Sequence, residues 1–457
     1  MVIPGSWRDC QAWKADGIEL STTNNETAKL YDAALHQIMS LTNDPSLGGL
    51  PSTIQRMVET DPNFLMGQLF KEMSSIDVVT PGEETIQNLE RLRVIAQSNR
   101  VASWEKLCFE AVEHQIYGRQ LEASRIYERN SMLNPNEIFS ISRLFVLNIN
   151  TGYSEQMKNS LGYAVNAYSE KKPLYNYLLG RYGFALNECN KNSEGEKWAR
   201  KGLDLNNGRD PWATHAVSHV LLDSSRSAEG IHFLRSTEAD WRKGDMFLGH
   251  NAWHLGIFYV ERGMYEEALE LFNDTICIEA CKNEAMLFLN DAASLLFRLK
   301  MEGLNVKEET IKICEVFKQH AFKHTSMFDD AHLLLTCGSD KEFCNQILDS
   351  VENFIQGNSG KYQQVVAREV GTHILKAIVE YENEEYDKVV ELLLPVRYEI
   401  WMCGGSNAQR DIFHLILLSA ASKSISYQDL ARSLLVERTS NKQTLELNGR
   451  WLQRLSL

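Results

Sequence analysis

The stretch NAWHLGIFYVERGMYEEALELFNDTI, residues 251–276, constrains this chain more than any other. Apolar residues recur there at helical spacing, with a break at Arg262-Gly263-Met264. Leu255-Gly256, Tyr259, Ala268 and Phe272 fall in a fixed order. Small residues at Gly256 and Ala268 let two antiparallel helices approach, and Phe272 fills the space between them. A unit of this kind cannot bury its apolar face alone, so it needs stacked neighbours.

The neighbours are visible in the same phase. Gly118, Ala123, Tyr127 and Pro135 form one copy; Tyr182-Gly183, Gly195, Ala199 and Gly202 form another. Ala377, Tyr386, Val389 and Leu393 form a weaker one. The order is the tetratricopeptide pattern, degenerate about its period of roughly 34 residues. The expected fold is all-α, a tetratricopeptide-like helical-repeat superhelix (α-solenoid). Residues 1–457 are expected to form one continuous array, with the clearest repeats at 104–135, 176–209, 211–245, 249–283 and 370–400. Thr23 and Glu26 have capping-box spacing for the first long helix. Asp61-Pro62 and Asn134-Pro135 mark helix stops. Residues 46–51, 357–361 and 403–407 read as loops. Residues 301–360 keep helical composition without the repeat signature, and 440–457 read as a closing helix or a frayed tail.

Acidic residues exceed basic ones, 61 against 47, for a formal charge of −14. Bulk attraction to nucleic acid or to an anionic membrane is therefore not expected. The nine cysteines are odd in number and sit mostly in apolar runs, which predicts free thiols in a reducing cytoplasm. No signal peptide or membrane-length apolar run is visible. The expected partner is a protein or peptide segment, or a small-molecule ligand. Pairing of an exposed apolar face in a homodimer is a further option.

Chemistry concentrates in one region. His215, His219, His232, His250 and His254 fall close together although the chain has only 12 histidines. His215/His219 and His250/His254 are i, i+4 pairs, each on one helix face. Repeat phasing places Trp212, His215, His219, His250 and Trp253 on the concave side. Four readings follow: a metal site, a general acid–base site, a recognition surface with tryptophan anchors, or histidines that satisfy backbone groups in the core. No HExxH motif or zinc-finger cysteine spacing supports the metal reading, and no cofactor fingerprint is recognisable. Cys277 and Cys281 read as apolar positions.

Downstream, Asp291 lies in the apolar string MLFLNDAASLLF and needs a partner. His332 beside Asp329-Asp330 is the best candidate for a His–Asp pair. In GGSNAQRD, 404–411, the glycines allow a tight turn and Ser406 or Asn407 can cap the next helix. Gln409, Arg410 and Asp411 are then candidates to face the groove, and Arg410 to hold an anionic group.

Several strings resemble the tetratricopeptide repeat protein 38 family. They are RDCQAWK at 8–14, LSTTNNETAKLYDAAL at 20–35, NDPSLGGL at 43–50, DPNFLMG at 61–67, HNAWH at 250–254, DAH at 330–332, LLLPVRYEI at 392–400, GGSNAQRD and ARSLLVER at 431–438. The resemblance implies a repeat superhelix and no particular activity. The leading expectation is a groove that binds a partner segment or ligand through Trp212, His215, His219, His250, Trp253, Gln409, Arg410 and Asp411. The alternative is an enzyme acting on a small molecule, with His215, His219, His250, His254, Asp330, His332 and Arg410 as candidates. The weak metal candidates are His215, His219, His250 and His254.

Overall fold

The computed structural model describes residues 7–73, 81–357, 360–441 and 446–456. Antiparallel helix pairs follow one another along the chain, and no β-strand occurs among the described residues. Ser103–Ile116 pairs with Gln120–Leu133, Tyr175–Glu188 with Asn192–Leu205, Pro211–Asp223 with Ser227–Ser236, and Thr372–Glu382 with Tyr386–Leu393. This is a tetratricopeptide-like α-solenoid.

The small residues act as their phase predicts, with one difference. A Cβ on Gly183 would meet Gly195 O at 2.7 Å and Ala199 N at 2.8 Å, so these two helices touch backbone to backbone. Gly256 makes room for Leu295 of the next helix, Met286–Met301, more than for its own repeat partner. Phe272 is fully buried in a single π turn, Phe272–Ile276, that interrupts the second helix. The cap of Asn25–Ser40 is Asn24, whose side chain accepts from Glu26 N and Thr27 N; Thr23 is one residue too early.

The segments on either side of the 372–393 helix pair reach back to the early repeats. Tyr362 N donates to Gly118 O at 3.0 Å, and the Tyr362 hydroxyl to Thr151 O at 3.1 Å. Gly405 N donates to Ile149 O at 2.9 Å. Gly152 and Gly404 both have positive φ, 75° and 81°. A Cβ on Gly152 would lie 2.0 Å from Trp401 O, and one on Gly404 2.3 Å from Asn150 O. The Asn407–Lys423 helix then runs through the interior and touches Met286–Met301.

Glu446–Ser456 closes the C-terminal end on Leu248–Arg262, with Trp451 buried and Arg450 donating to the carbonyls of Val260 and Glu261. No helix is long and apolar enough to cross a membrane among the described residues. A Cys314–Cys337 disulfide joins Lys307–Phe317 to Met327–Cys337, which corrects the expectation of free thiols throughout. The two cysteines are 23 residues apart and meet only because these helices pack.

Candidate metal centre

The two histidine pairs meet. Asp210 caps Pro211–Asp223 by accepting from Trp212 N and Ala213 N, which sets the phase that turns His215 and His219 inward. Leu248–Arg262 lies against it and turns His250 and His254 to the same point. One ring nitrogen from each of the four histidines lies within 4.8 Å of the other three. All four residues are buried, none more than 2 % exposed.

Their contacts cannot be satisfied internally. His215 Nε2 lies 2.8 Å from His219 Nε2 and 3.0 Å from His250 Nε2. A neutral imidazole nitrogen carries either a proton or a lone pair, so one shared proton at most can serve all three. Neither ring nitrogen of His254 has a hydrogen bond, nor does His215 Nδ1. Native cores rarely leave such atoms unpaired.

Carboxylates stand on the outer side. His250 Nδ1 donates to Asp291 at 2.7 Å, which places the proton there and leaves the Nε2 lone pair pointing inward. Glu188 stands 3.7 Å from His219 Nδ1, close enough for its charge to act on that ring but beyond hydrogen-bond reach, and its carboxylate accepts from Asn407 N. Asp291 comes from Met286–Met301 and Glu188 from the last turn of Tyr175–Glu188. A carboxylate behind an imidazole is the usual second support of a metal-bound histidine.

The surroundings are aromatic. Trp253 stacks on His250, with interplanar angle 10°, and meets His254 edge-on. Trp212 and Phe184 pack on His215, and Phe184 also on His219. Burial, and then the neighbouring rings, hold His215 and His254 well below the ordinary histidine range. A proton is therefore a poor occupant. Burial raises Asp291 above the ordinary carboxylate range against the pull of His250, so its charge also lacks a full counterpart.

The other candidates fall differently. Trp212 and Trp253 are buried beside the histidines, Trp212 also among Phe145, Phe184 and Phe247, and are not surface anchors. His332 does not pair with Asp329 or Asp330. Its Nδ1 donates to Phe328 O at 2.8 Å, Asp330 takes His324 at 2.9 Å, and Asn290 donates to Asp329 at 2.7 Å. Ser406 and Gln409 form a capping box, and the Gln409 side chain also reaches Asp291.

Arg410 is spent on its own loop, donating to the carbonyls of Gly404 and Gly405 and to Asn407 Oδ1, and stands 3.6 Å from Glu188. It reaches the histidines only through that carboxylate. Asp411 is clamped by Arg438 and by Arg298 at 3.4 Å. His232 is exposed and outside the cluster. Cys277 is buried as expected, and Cys281 only half-buried.

No family model matches the chain. Among solved structures, it is similar to the human IFIT1 dimer with PPP-AAAA, at 13 % identity over 98 % of this chain and 97 % of that one, with a TM-score of 0.42. It is also similar to the human IFIT1 dimer with m7Gppp-AAAA, at 14 % identity over the same shares and the same TM-score. The expectation that excluded nucleic acid is corrected by this finding, since these similar chains are described with oligonucleotide ligands. Net charge is a property of the whole molecule and does not settle what one site accepts.

Proposed function

We propose that the chain is a helical-repeat metalloprotein in which His215, His219, His250 and His254 hold one divalent transition-metal ion, and that this ion fixes the repeats around an interior that takes a ligand. The observation that carries this is the convergence of four buried imidazole nitrogens on one point, with both ring nitrogens of His254 and Nδ1 of His215 left without a hydrogen bond. Zinc fits best: it takes four nitrogen ligands in a closed tetrahedron, with ligand atoms ~3.3 Å apart. The separations, 2.8 and 3.0 Å for the pairs with His215 and up to 4.8 Å within the group, bracket that spacing. Four neutral imidazoles leave the dication's charge to Asp291 and Glu188, and Asp291 regains the cation that burial otherwise denies it.

A closed site favours a structural ion over a catalytic one. The cavities of about 300, 340 and 530 Å³ have none of the four imidazoles in their walls. That weighs against His250–Asp291 acting as a general base on a substrate. The quoted strings support placing the chain in the tetratricopeptide repeat protein 38 family, and its length as one continuous repeat array.

The test is metal analysis of the full chain after dialysis, beside its native and denatured masses. About one zinc per chain, released on unfolding and recovered when ZnCl2 is added to chelator-treated protein, is expected. A folded, chelator-treated chain that takes up no Zn2+ would overturn the proposal.

A further inference from the structure

The two carboxylates beside the histidine cluster come from different helices, yet one turn of chain holds both. That turn is 403–410, the entry to Asn407–Lys423. The Gln409 side chain reaches Asp291, which also accepts from His250 Nδ1 at 2.7 Å. Gln409 Oε1 is taken by Ser406 N at 3.0 Å, so its NH2 end faces the carboxylate. Asn407 N donates to the Glu188 carboxylate at 2.9 Å, and Asn407 Nδ2 to the Glu188 carbonyl at 3.3 Å. Glu188 in turn stands 3.7 Å from His219 Nδ1. Asp291, Glu188 and Gln409 are all buried.

The other side of the same turn is seated on the early repeats. Gly405 N donates to Ile149 O at 2.9 Å. Gly404 packs so closely on Asn150 that a Cβ would lie 2.3 Å from its carbonyl oxygen. Arg410 ties the turn together through the carbonyls of Gly404 and Gly405. Cys403, Gly405 and Gln409 line the cavity of about 300 Å³, and Asn407 and Arg410 that of about 530 Å³. The turn is a wall common to both.

We infer that metal occupancy decides whether this turn stays seated: the four-histidine site is a lock on 403–410 and, through it, on access to both cavities. The inference rests on the metal reading and adds what the ion controls. A dication among the imidazoles attracts the Asp291 and Glu188 charges across a low-dielectric interior. It thereby fixes the two groups on which Gln409 and Asn407 are anchored. Without the ion, Glu188 keeps Asn407 N and Arg410 at 3.6 Å, while Asp291 keeps an amide and an imidazole. A buried anion short of counter-charge is costly, and the relief available is water entering past the turn. Seat and site are then coupled. Coupling is reciprocal, so whatever unseats the turn weakens metal binding by the same factor.

The test is hydrogen–deuterium exchange by mass spectrometry on the full chain, zinc-loaded and chelator-treated, with zinc measured on each sample. Peptides carrying the Gly405 and Asn407 amides are expected to exchange about tenfold faster on zinc removal, while the Asn25–Ser40 helix changes little. Gln409→Ala cuts one anchor and is expected to keep about one zinc per chain while the turn's response to zinc shrinks. Gly152→Ala pushes on Trp401 O beside the turn. It is expected to weaken zinc affinity about tenfold, read by competition with a chromophoric chelator. In a chain that binds zinc, turn exchange that ignores the ion, or a rise spread evenly over the whole chain, overturns this inference alone. Wild-type zinc affinity in Gly152→Ala does the same. A chain that takes up no zinc overturns the metal reading and this inference with it.

Discussion

Replacing His254 with Leu separates two accounts of the cluster by the sign of its effect. The His254 ring is 1 % exposed and neither nitrogen has a hydrogen bond. If the ring were only packing, each unpaired buried polar atom would cost about 1–3 kcal/mol, and an apolar side chain of similar size would relieve that cost. The variant would then be more stable. If His254 is a ligand, its loss removes the metal's contribution to the folded state. An ion present at about 1,000 times its dissociation constant contributes roughly 4 kcal/mol. At about 2 cal/mol/K per residue, 457 residues melting together have an unfolding entropy near 1 kcal/mol/K. The expected change is then a fall in Tm of roughly 4 °C, and a larger one if a smaller unit melts first. Differential scanning calorimetry with and without EDTA reads both effects. Wild type is expected to lose a similar amount to EDTA, and His254→Leu to be insensitive to it. A variant that melts at or above wild type, with no chelator effect in either, refutes the reasoning.

Asp291→Asn keeps the shape but removes the carboxylate that holds His250 Nδ1–H; competition against a chromophoric chelator is expected to show zinc affinity lowered about 10–100-fold. Asp411→Ala leaves Arg298 and Arg438 buried without their shared carboxylate and is expected to cost about 3–5 kcal/mol in urea unfolding. Gly152→Ala places a Cβ against Trp401 O at a left-handed position, so limited proteolysis is expected to cut the 395–405 region, which wild type protects. Glu137 is buried and its carboxyl is pushed up to about 7 from 4.5. The folded state therefore holds that proton more tightly than the unfolded chain. Its stabilising contribution is complete below about pH 4.5 and is lost as pH rises to 7, by roughly 3 kcal/mol. Glu137→Gln keeps one of the two caps, because its single carbonyl oxygen can accept from Phe139 N or Ser140 N but its NH2 cannot accept from the other, and its stability relative to wild type is expected to rise by that amount between pH 4.5 and pH 8.

The repeat fold is legible because helical period and small-residue phase are local. The histidine pairs are legible for the same reason, since i, i+4 spacing fixes a shared face whatever the tertiary path. Asp291 stands out as a carboxylate in an apolar string, but its partner His250 is 41 residues away. Glu188 gave no local signal beyond a charge at the end of the buried face that carries Gly180, Gly183 and Phe184. His332 misleads for a physical reason. Adjacent carboxylates at i−2 and i−3 promise a pair, yet i−2 lies across the helix, and Asp329 and Asp330 each find partners elsewhere. The contacts that bring the 395–405 region back to the early repeats are not legible, because nothing in the pattern of repeats specifies them. They depend on Gly152 lying against the Trp401 carbonyl and Gly404 against the Asn150 carbonyl, a long-range fit that periodicity does not encode.

The central claim is that four imidazoles share one metal ion, and X-ray absorption at the zinc edge of the purified full chain tests it most directly. The expected spectrum has a first shell of about four nitrogen atoms at about 2.0 Å with imidazole outer-shell scattering. A shell containing sulfur at about 2.3 Å would put the ion on cysteines, and a spectrum of hydrated zinc alone would leave the four histidines without it; either result contradicts the account.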